Sequence, residues 1–202
     1  MTGPENKRLA PVVDIPALVA KMARLLQEAG VTEFALIGGC AMRVYGLERT
    51  TKDVDFVVKE QAHAALLASL SGVVQPLAIG GYSWSLPEGV VDLINRRREL
   101  RGLYEEALDT SYRIGMTVMA QDVEVHVVSL EHLIAMKLAA GRSQDEADLV
   151  YLLKLPTLDY PKARGCAKKH LGFLAGTTLD RLARIAGRGE LVKDYEADSG
   201  EA

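Results

Sequence analysis

The chain has 202 residues, 49% of them apolar, and a formal net charge of −3 at pH 7. That length supports one well-buried core with room for a small appendage, and the charge excludes a uniformly basic nucleic-acid binder while leaving room for a local basic face. No window reaches the roughly 18 uninterrupted apolar residues of a membrane span, Met1 to Pro11 is polar without a signal-like apolar run, and Cys40 and Cys166 are far apart and show no metal-ligand spacing. A reduced, cytoplasmic protein with no membrane partner is expected.

In chain order, residues 1–13 read as a flexible N-terminus. Asp14 then caps a helix beginning at Ile15-Pro16, striped by Leu18, Met22, Leu25 and Leu26 and stopped at Gly30. Glu33 to Ile37 reads as a first strand, Gly39 to Tyr45 as a short helix, Asp53 to Val58 as a second strand and Gln61 to Leu70 as a helix. Tyr82 to Leu86 and Val90 to Ile94 flank Pro87-Glu88-Gly89 and predict a hairpin. Arg98 to Leu108 follows as a helix, then short strands at Thr117 to Met119 and Val123 to Val127. Ser129 caps a helix to Ala140, and Ser143-Gln-Asp-Glu146 reads as a capping box opening another to about Lys154, broken by Pro156. Lys162 to Leu171 and Thr178 to Ile185 are helical, and the polar tail beyond Gly187 is expected to be disordered.

The chemistry concentrates in Ala35 to Val58. An apolar run ends in Gly38-Gly39, a polar loop carrying Arg49 follows, and Asp53-Val-Asp55 opens the next apolar run. Carboxylates two residues apart on a strand share a side, with Cα atoms about 6–7 Å apart, and each raises the other's pKa unless a cation lies between them. Mg²⁺ meets that need, since it binds one or two carboxylates and completes its shell with waters and substrate phosphates. A glycine pair lets backbone approach a phosphate because no Cβ intervenes.

Ile37-Gly38-Gly39, the thirteen-residue spacer Cys40 to Lys52, and Asp53-Val54-Asp55-Phe56 together resemble the signature of the nucleotidyltransferase superfamily, which includes polymerase beta. Arg49-Thr50-Thr51-Lys52-Asp53-Val54-Asp55 is most similar to abortive-infection (AbiEii-type) toxin nucleotidyltransferases, as is Leu133 to Asp148 with Lys137, Arg142, Asp145 and Asp148. The resemblance spans about Ala35 to Leu153. It implies an α+β fold, with a small mixed β-sheet nucleotidyltransferase core over 14–128, flanking helices, a C-terminal helical region over 129–187 and a tail over 188–202. It implies a nucleoside triphosphate substrate, two Mg²⁺ ions, and transfer of a nucleoside monophosphate to a hydroxyl. A macromolecular acceptor such as tRNA and a separate antitoxin partner follow from the toxin motifs. The rival readings are an aminoglycoside-type adenylyltransferase and a catalytically weak binding or regulatory module.

On that basis Asp53 and Asp55 are metal ligands, and Asp92, a costly carboxylate inside the apolar run Val90 to Ile94, is the third acid on a neighbouring strand. Asp53, Asp55, Asp92 and Lys137 form the expected catalytic set. Gly38, Gly39, Arg49 and Thr51 are the expected nucleotide contacts. Many relatives carry Gly-Ser where this chain has Gly39-Cys40, so backbone amides, or Thr50 and Thr51, would take the place of the serine hydroxyl. Lys137 either reaches water along its apolar stem or offsets charge at the phosphates, and Arg142, Asp145 and Asp148 suit a network joining two helices. Arg96-Arg97-Arg98 with Arg101, and Lys162, Arg164, Lys168, Lys169, Arg181, Arg184 and Arg188, form two basic clusters that suit a polyanion. The four histidines, His63, His126, His132 and His170, form no ligand pattern.

Overall fold

A computed structural model describes residues 13–48, 50–59 and 73–192. The expected helix Gln61 to Leu70, and Arg49, lie outside the described residues. The first half gives α1 (Ile15–Glu28), β1 (Phe34–Leu36), α2 (Gly38–Val44), β2 (Asp53–Val58), β3 (Val73–Pro76), β4 (Gly81–Leu86) and β5 (Gly89–Ile94). A 3₁₀ turn, Arg98–Leu100, leads into α3 (Arg101–Ile114), and β6 (Met116–Ala120) and β7 (Val123–Val127) complete a seven-stranded mixed sheet. Its order is β3-β4-β5-β2-β1-β7-β6. The C-terminal helices are α4 (Leu130–Ala140), α5 (Ser143–Leu152), α6 (Tyr160–Leu171) and α7 (Phe173–Ile185).

The centre of the sheet is β5-β2-β1. β2 runs antiparallel to β1 and parallel to β5, and the parallel register sets Asp55 directly beside Asp92. Val54, Phe56, Val57 and Val58 are all buried, so β2 is covered on both faces. Helices α1 and α3 both pack against β2, and α2 docks on β2 and α4. Asp14 caps α1 through its side chain, with Pro16 in the first turn. Tyr112 of α3 pins that helix to β1, its hydroxyl lying 3.0 Å from the Phe34 N–H and 3.1 Å from the carbonyls of Thr32 and Phe34.

Helix α4 is apolar nearly all round and therefore sits at the centre of the helical region, packed on α3, α5 and α6. Ser129 caps it and Gly141, at φ +62°, closes it. The start of α5 differs from expectation. The helix begins at Ser143, which puts Asp145 rather than Glu146 at its third position, and the Asp145 carboxylate accepts the Arg142 N–H at 3.2 Å. Strand β3 was not expected, and the chain past Gly187 continues in a 3₁₀ turn, Gly189–Val192, that buries Val192.

Helices α6 and α7 are joined by Asp180, which accepts from the Tyr160 hydroxyl at 2.6 Å and from Arg164 Nε and Nη2, each at 2.9 Å. Tyr160 and Asp180 are buried. Hydrogen bonds to a buried charge contribute about 1.5–3 kcal/mol, so Tyr160→Phe is expected to lower the unfolding free energy by about 1.5 kcal/mol or more in urea titration. A change below about 0.3 kcal/mol would show that Arg164 alone satisfies Asp180.

Candidate active site

The turn from β1 into α2 places Gly38 against Asp55. Gly38 has φ +60°, and a Cβ there would lie 2.0 Å from Asp55 Oδ2. Glycine is thus required for two reasons, the left-handed backbone and the space that the Asp55 carboxylate itself fills. The Gly39 N–H donates to that carboxylate. Burial first, then Asp92, then Asp53 push the Asp55 carboxyl up to about 6, against the opposing pull of Gly39 and Lys137. Asp92 is also raised, by burial first, with Asp53 adding to the shift and a hydrogen bond from Ser83 opposing it. Its Oδ1 is buried without a hydrogen-bond partner among the described residues.

Asp53 differs from the other two. It is exposed at the start of β2, opposite Val90 rather than Asp92. The expected trio is therefore a tight pair, Asp55 and Asp92, with Asp53 at the rim, and no three His, Cys, Asp or Glu side chains among the described residues form a ready metal centre. Thr51 donates its hydroxyl to the Asp53 carbonyl at 3.0 Å. Cys40 is buried with Sγ 3.7 Å from the same carbonyl, and burial, helped by Asp55, pushes its thiol up to about 12, so it packs behind the turn as an inert group.

The pair opens into a cleft of about 340 Å³. Asp55, Asp92, Gly38, Lys137 and Arg142 line its polar end. Ile79, Ile94, Tyr104, Leu133 and Met136 line the rest, together with Arg96, whose guanidinium lies 5.5 Å from the Tyr104 ring centroid. Sequence reasoning placed Lys137 at the phosphates or at the water surface. The structure buries it at 4% exposure, with Nζ donating to Asp145 at 2.8 Å and Asp148 at 2.6 Å. Arg142 donates to both Asp145 oxygens, at 2.7 and 3.1 Å. Burial alone would raise the Asp145 carboxyl, but the hydrogen bonds from Arg142 and Lys137 outweigh it and hold the group at about 2. The four charges cancel, and Lys137 and Arg142 both line the cleft close enough to Asp55 to act on it electrostatically.

Sequence reasoning missed Ile79, Tyr104 and Met136 as cleft residues, since nothing in their local pattern distinguishes them from core. Several of the C-terminal cations have acidic partners. Lys162 pairs with Asp159, Arg164 with Asp180, Lys169 with Glu106, Arg181 with Glu146 and Arg188 with Glu190. Lys168 lies over the Phe173 ring at 5.4 Å. His132 and His170, scattered in sequence, converge on Glu106 from α4 and α6.

The mixed sheet sets two carboxylates in register beside a Gly-Gly turn, in a cleft that Lys137 and Arg142 also line. The chain belongs to the family of nucleotidyl transferase AbiEii toxins of type IV toxin–antitoxin systems, whose model matches residues 21–184. Its fold is similar to that of an antigenic nucleotidyltransferase-like protein from Paracoccidioides brasiliensis, at 18% identity and a TM-score of 0.53 over 88% of this chain and 94% of that one. ANT(2″)-Ia in complex with adenylyl-2″-tobramycin aligns at 20% identity and a TM-score of 0.48, over 89% and 98% of the two chains. No curated protein matches the chain.

The raised Asp55 carboxyl makes a prediction about the metal-free protein. It binds a proton more tightly folded than unfolded, so stability falls as pH rises from about 4 to about 6, and a penalty on the order of 2–3 kcal/mol persists above that. Asp55→Asn is expected to raise the melting temperature at pH 7.5 in EDTA, with the gain vanishing near pH 4. Identical melting curves at pH 7.5 would show that the pair is not under electrostatic load.

Proposed function

We propose that the protein transfers a nucleoside monophosphate from a nucleoside triphosphate to a hydroxyl group on RNA, in a Mg²⁺-dependent reaction. The observation that carries this is the in-register pair Asp55 and Asp92, both held above the ordinary carboxylate range. A buried, unpartnered Asp92 Oδ1 and a carboxyl raised by its neighbours fit a divalent cation better than any protein group nearby. Asp55 and Asp92 would hold it, with Asp53 joining from the rim. The cation would supply charge neutralisation for the triphosphate and for the attacking and leaving oxygens.

The acceptor hydroxyl oxygen forms a bond to the α-phosphorus, the bond from that phosphorus to the bridging oxygen breaks, and pyrophosphate leaves with the electron pair. The hydroxyl proton passes to the Asp92 carboxylate, which lines the cleft. Lys137 and Arg142 offset negative charge at the opposite wall, held there by Asp145 and Asp148 without needing to reorganise. Gly38 and Gly39, with Arg49 and Thr51, are the proposed phosphate contacts. Incubation with each labelled nucleotide, Mg²⁺ and total RNA is expected to label RNA, and Asp55→Asn or Asp92→Asn to reduce labelling by at least about a hundredfold. Undiminished labelling in either variant would refute the reading.

The family's place in type IV toxin–antitoxin systems supports a toxin role with a separate antitoxin protein. A cytoplasmic location fits the two free cysteines and the lack, among the described residues, of any helix long and apolar enough to cross a membrane. For RNA, the exposed Arg97 and Arg98 beside the cleft are better placed than the paired cations of α6 and α7. Each phosphate contact on a single strand lowers log affinity by roughly 0.7 per log unit of salt. Charge reversal at Arg97 and Arg98 is expected to weaken RNA binding and flatten that slope, whereas Lys168→Glu leaves it nearly unchanged. The pairing of the C-terminal cations favours one competing reading, a small-molecule hydroxyl acceptor. RNA affinity that is negligible at about 0.15 M salt would select it.

A further inference from the structure

The polar end of the cleft accounts for phosphates and charge, but it occupies only part of the space. The other end is built from four separate elements. Ile79 comes from the turn between β3 and β4, Arg96 from the segment after β5, Tyr104 from α3 and Met136 from α4. Ile79 is 40% exposed, an unusual place for a large aliphatic side chain in a turn.

That turn is tied down. The Leu77 N–H donates to the Gly81 carbonyl at 2.9 Å, and the Gly80 N–H to the Leu77 carbonyl at 3.0 Å. Gly80 has φ +100°, and a Cβ there would lie 2.1 Å from the Asn95 carbonyl oxygen. The turn is therefore fitted against the strand end that carries Arg96, and Ile79 is held at the cleft wall rather than loose on the surface. The same cleft is lined by the Arg96–Tyr104 pair, a delocalised planar cation over an aromatic ring.

We propose that Ile79, Arg96 and Tyr104 form a slot for a nucleobase, with Arg96 and Tyr104 as stacking platform and Ile79 as the apolar cover. An aliphatic cover, a guanidinium and a ring give planar π-systems a favourable environment whatever their hydrogen-bonding edge. The slot is continuous with the carboxylate pair, so the base it takes belongs either to the nucleoside triphosphate or to the RNA end that presents the hydroxyl. This inference rests on the proposed transfer reaction, and it makes Ile79 and Arg96 positioning residues that act through the base rather than at the reacting atoms.

Binding measurements without turnover test it, by calorimetry in Mg²⁺ on the full chain. One arm compares ATP, CTP, GTP and UTP with inorganic triphosphate. The other compares a short single-stranded oligoribonucleotide with an abasic chain of the same length. In one arm the base-bearing ligand is expected to bind more tightly than its base-free counterpart, and that arm identifies the source of the base. Arg96→Lys, which keeps the charge but loses the plane, and Ile79→Ser are each expected to weaken the base-bearing ligand roughly five- to twentyfold, the range such stacking contacts contribute. The base-free ligand should be unaffected. Equal losses for base-bearing and base-free ligands would assign Arg96 to phosphate, and no preference for a base in either arm would overturn the slot. Failure of inorganic triphosphate to bind at all, or binding indifferent to Asp55→Asn, would instead count against the transfer reaction. Unchanged melting temperatures of the variants establish that the fold is intact.

Discussion

The structure turns on a single constraint. Two carboxylates, Asp55 and Asp92, stand side by side on adjacent parallel strands at the centre of a covered sheet. A sheet built only for stability would place an apolar pair or a compensating cation there, because burying like charges together is costly. Here the compensation is partial, with the Gly39 N–H and the Lys137 charge acting on Asp55 and a hydrogen bond from Ser83 on Asp92. Local features follow from the need to hold this pair, including a glycine at Gly38 with no room for a Cβ and a thiol packed behind the turn.

The helical region supplies the opposite wall. Lys137 could not be buried alone, and Asp145 and Asp148 make its burial tolerable while Arg142 balances the remaining charge. The result is a neutral network whose two cations both line the cleft and act electrostatically on Asp55, so the helices partly offset the carboxylate charge on the sheet. The two halves of the chain are thereby coupled across the site. The sheet alone would leave the carboxylates facing solvent, and the helices alone would have no anionic centre to face.

Much of this was legible in the sequence where the signal is local. Asp53 to Val58 is a strand over the residues expected, because a run of apolar residues bounded by polar ones admits little else. Asp92 was found because a lone carboxylate in an apolar strand needs a reason. Other features depend on partners distant in the chain. Val73–Pro76 is an edge strand with a proline and exposed side chains, so it carries no periodic signal. The Ser143-to-Glu146 pattern fits a capping box by residue type, but the helix starts one residue earlier than that pattern needs, so Arg142 is the N-cap residue and Asp145 does the capping. Two partners of the basic C-terminal cluster, Glu106 for Lys169 and Glu146 for Arg181, lie on other helices and could not be assigned to it from the local sequence. Burial of Lys137 could not be read from the stripe around it, since an apolar helix face is compatible with both a solvated and a buried amine.

Asp55 and Asp92 carry the electrostatic load at the centre of the site, and carboxyl-carbon NMR reads that load residue by residue. In the metal-free protein Asp55 is expected to titrate at about 6, well above an ordinary aspartate, and to shift to a lower value when Mg²⁺ is added. An Asp55 that titrates at about 3.9 and does not respond to Mg²⁺ would contradict the assignment of this pair as the centre of the site.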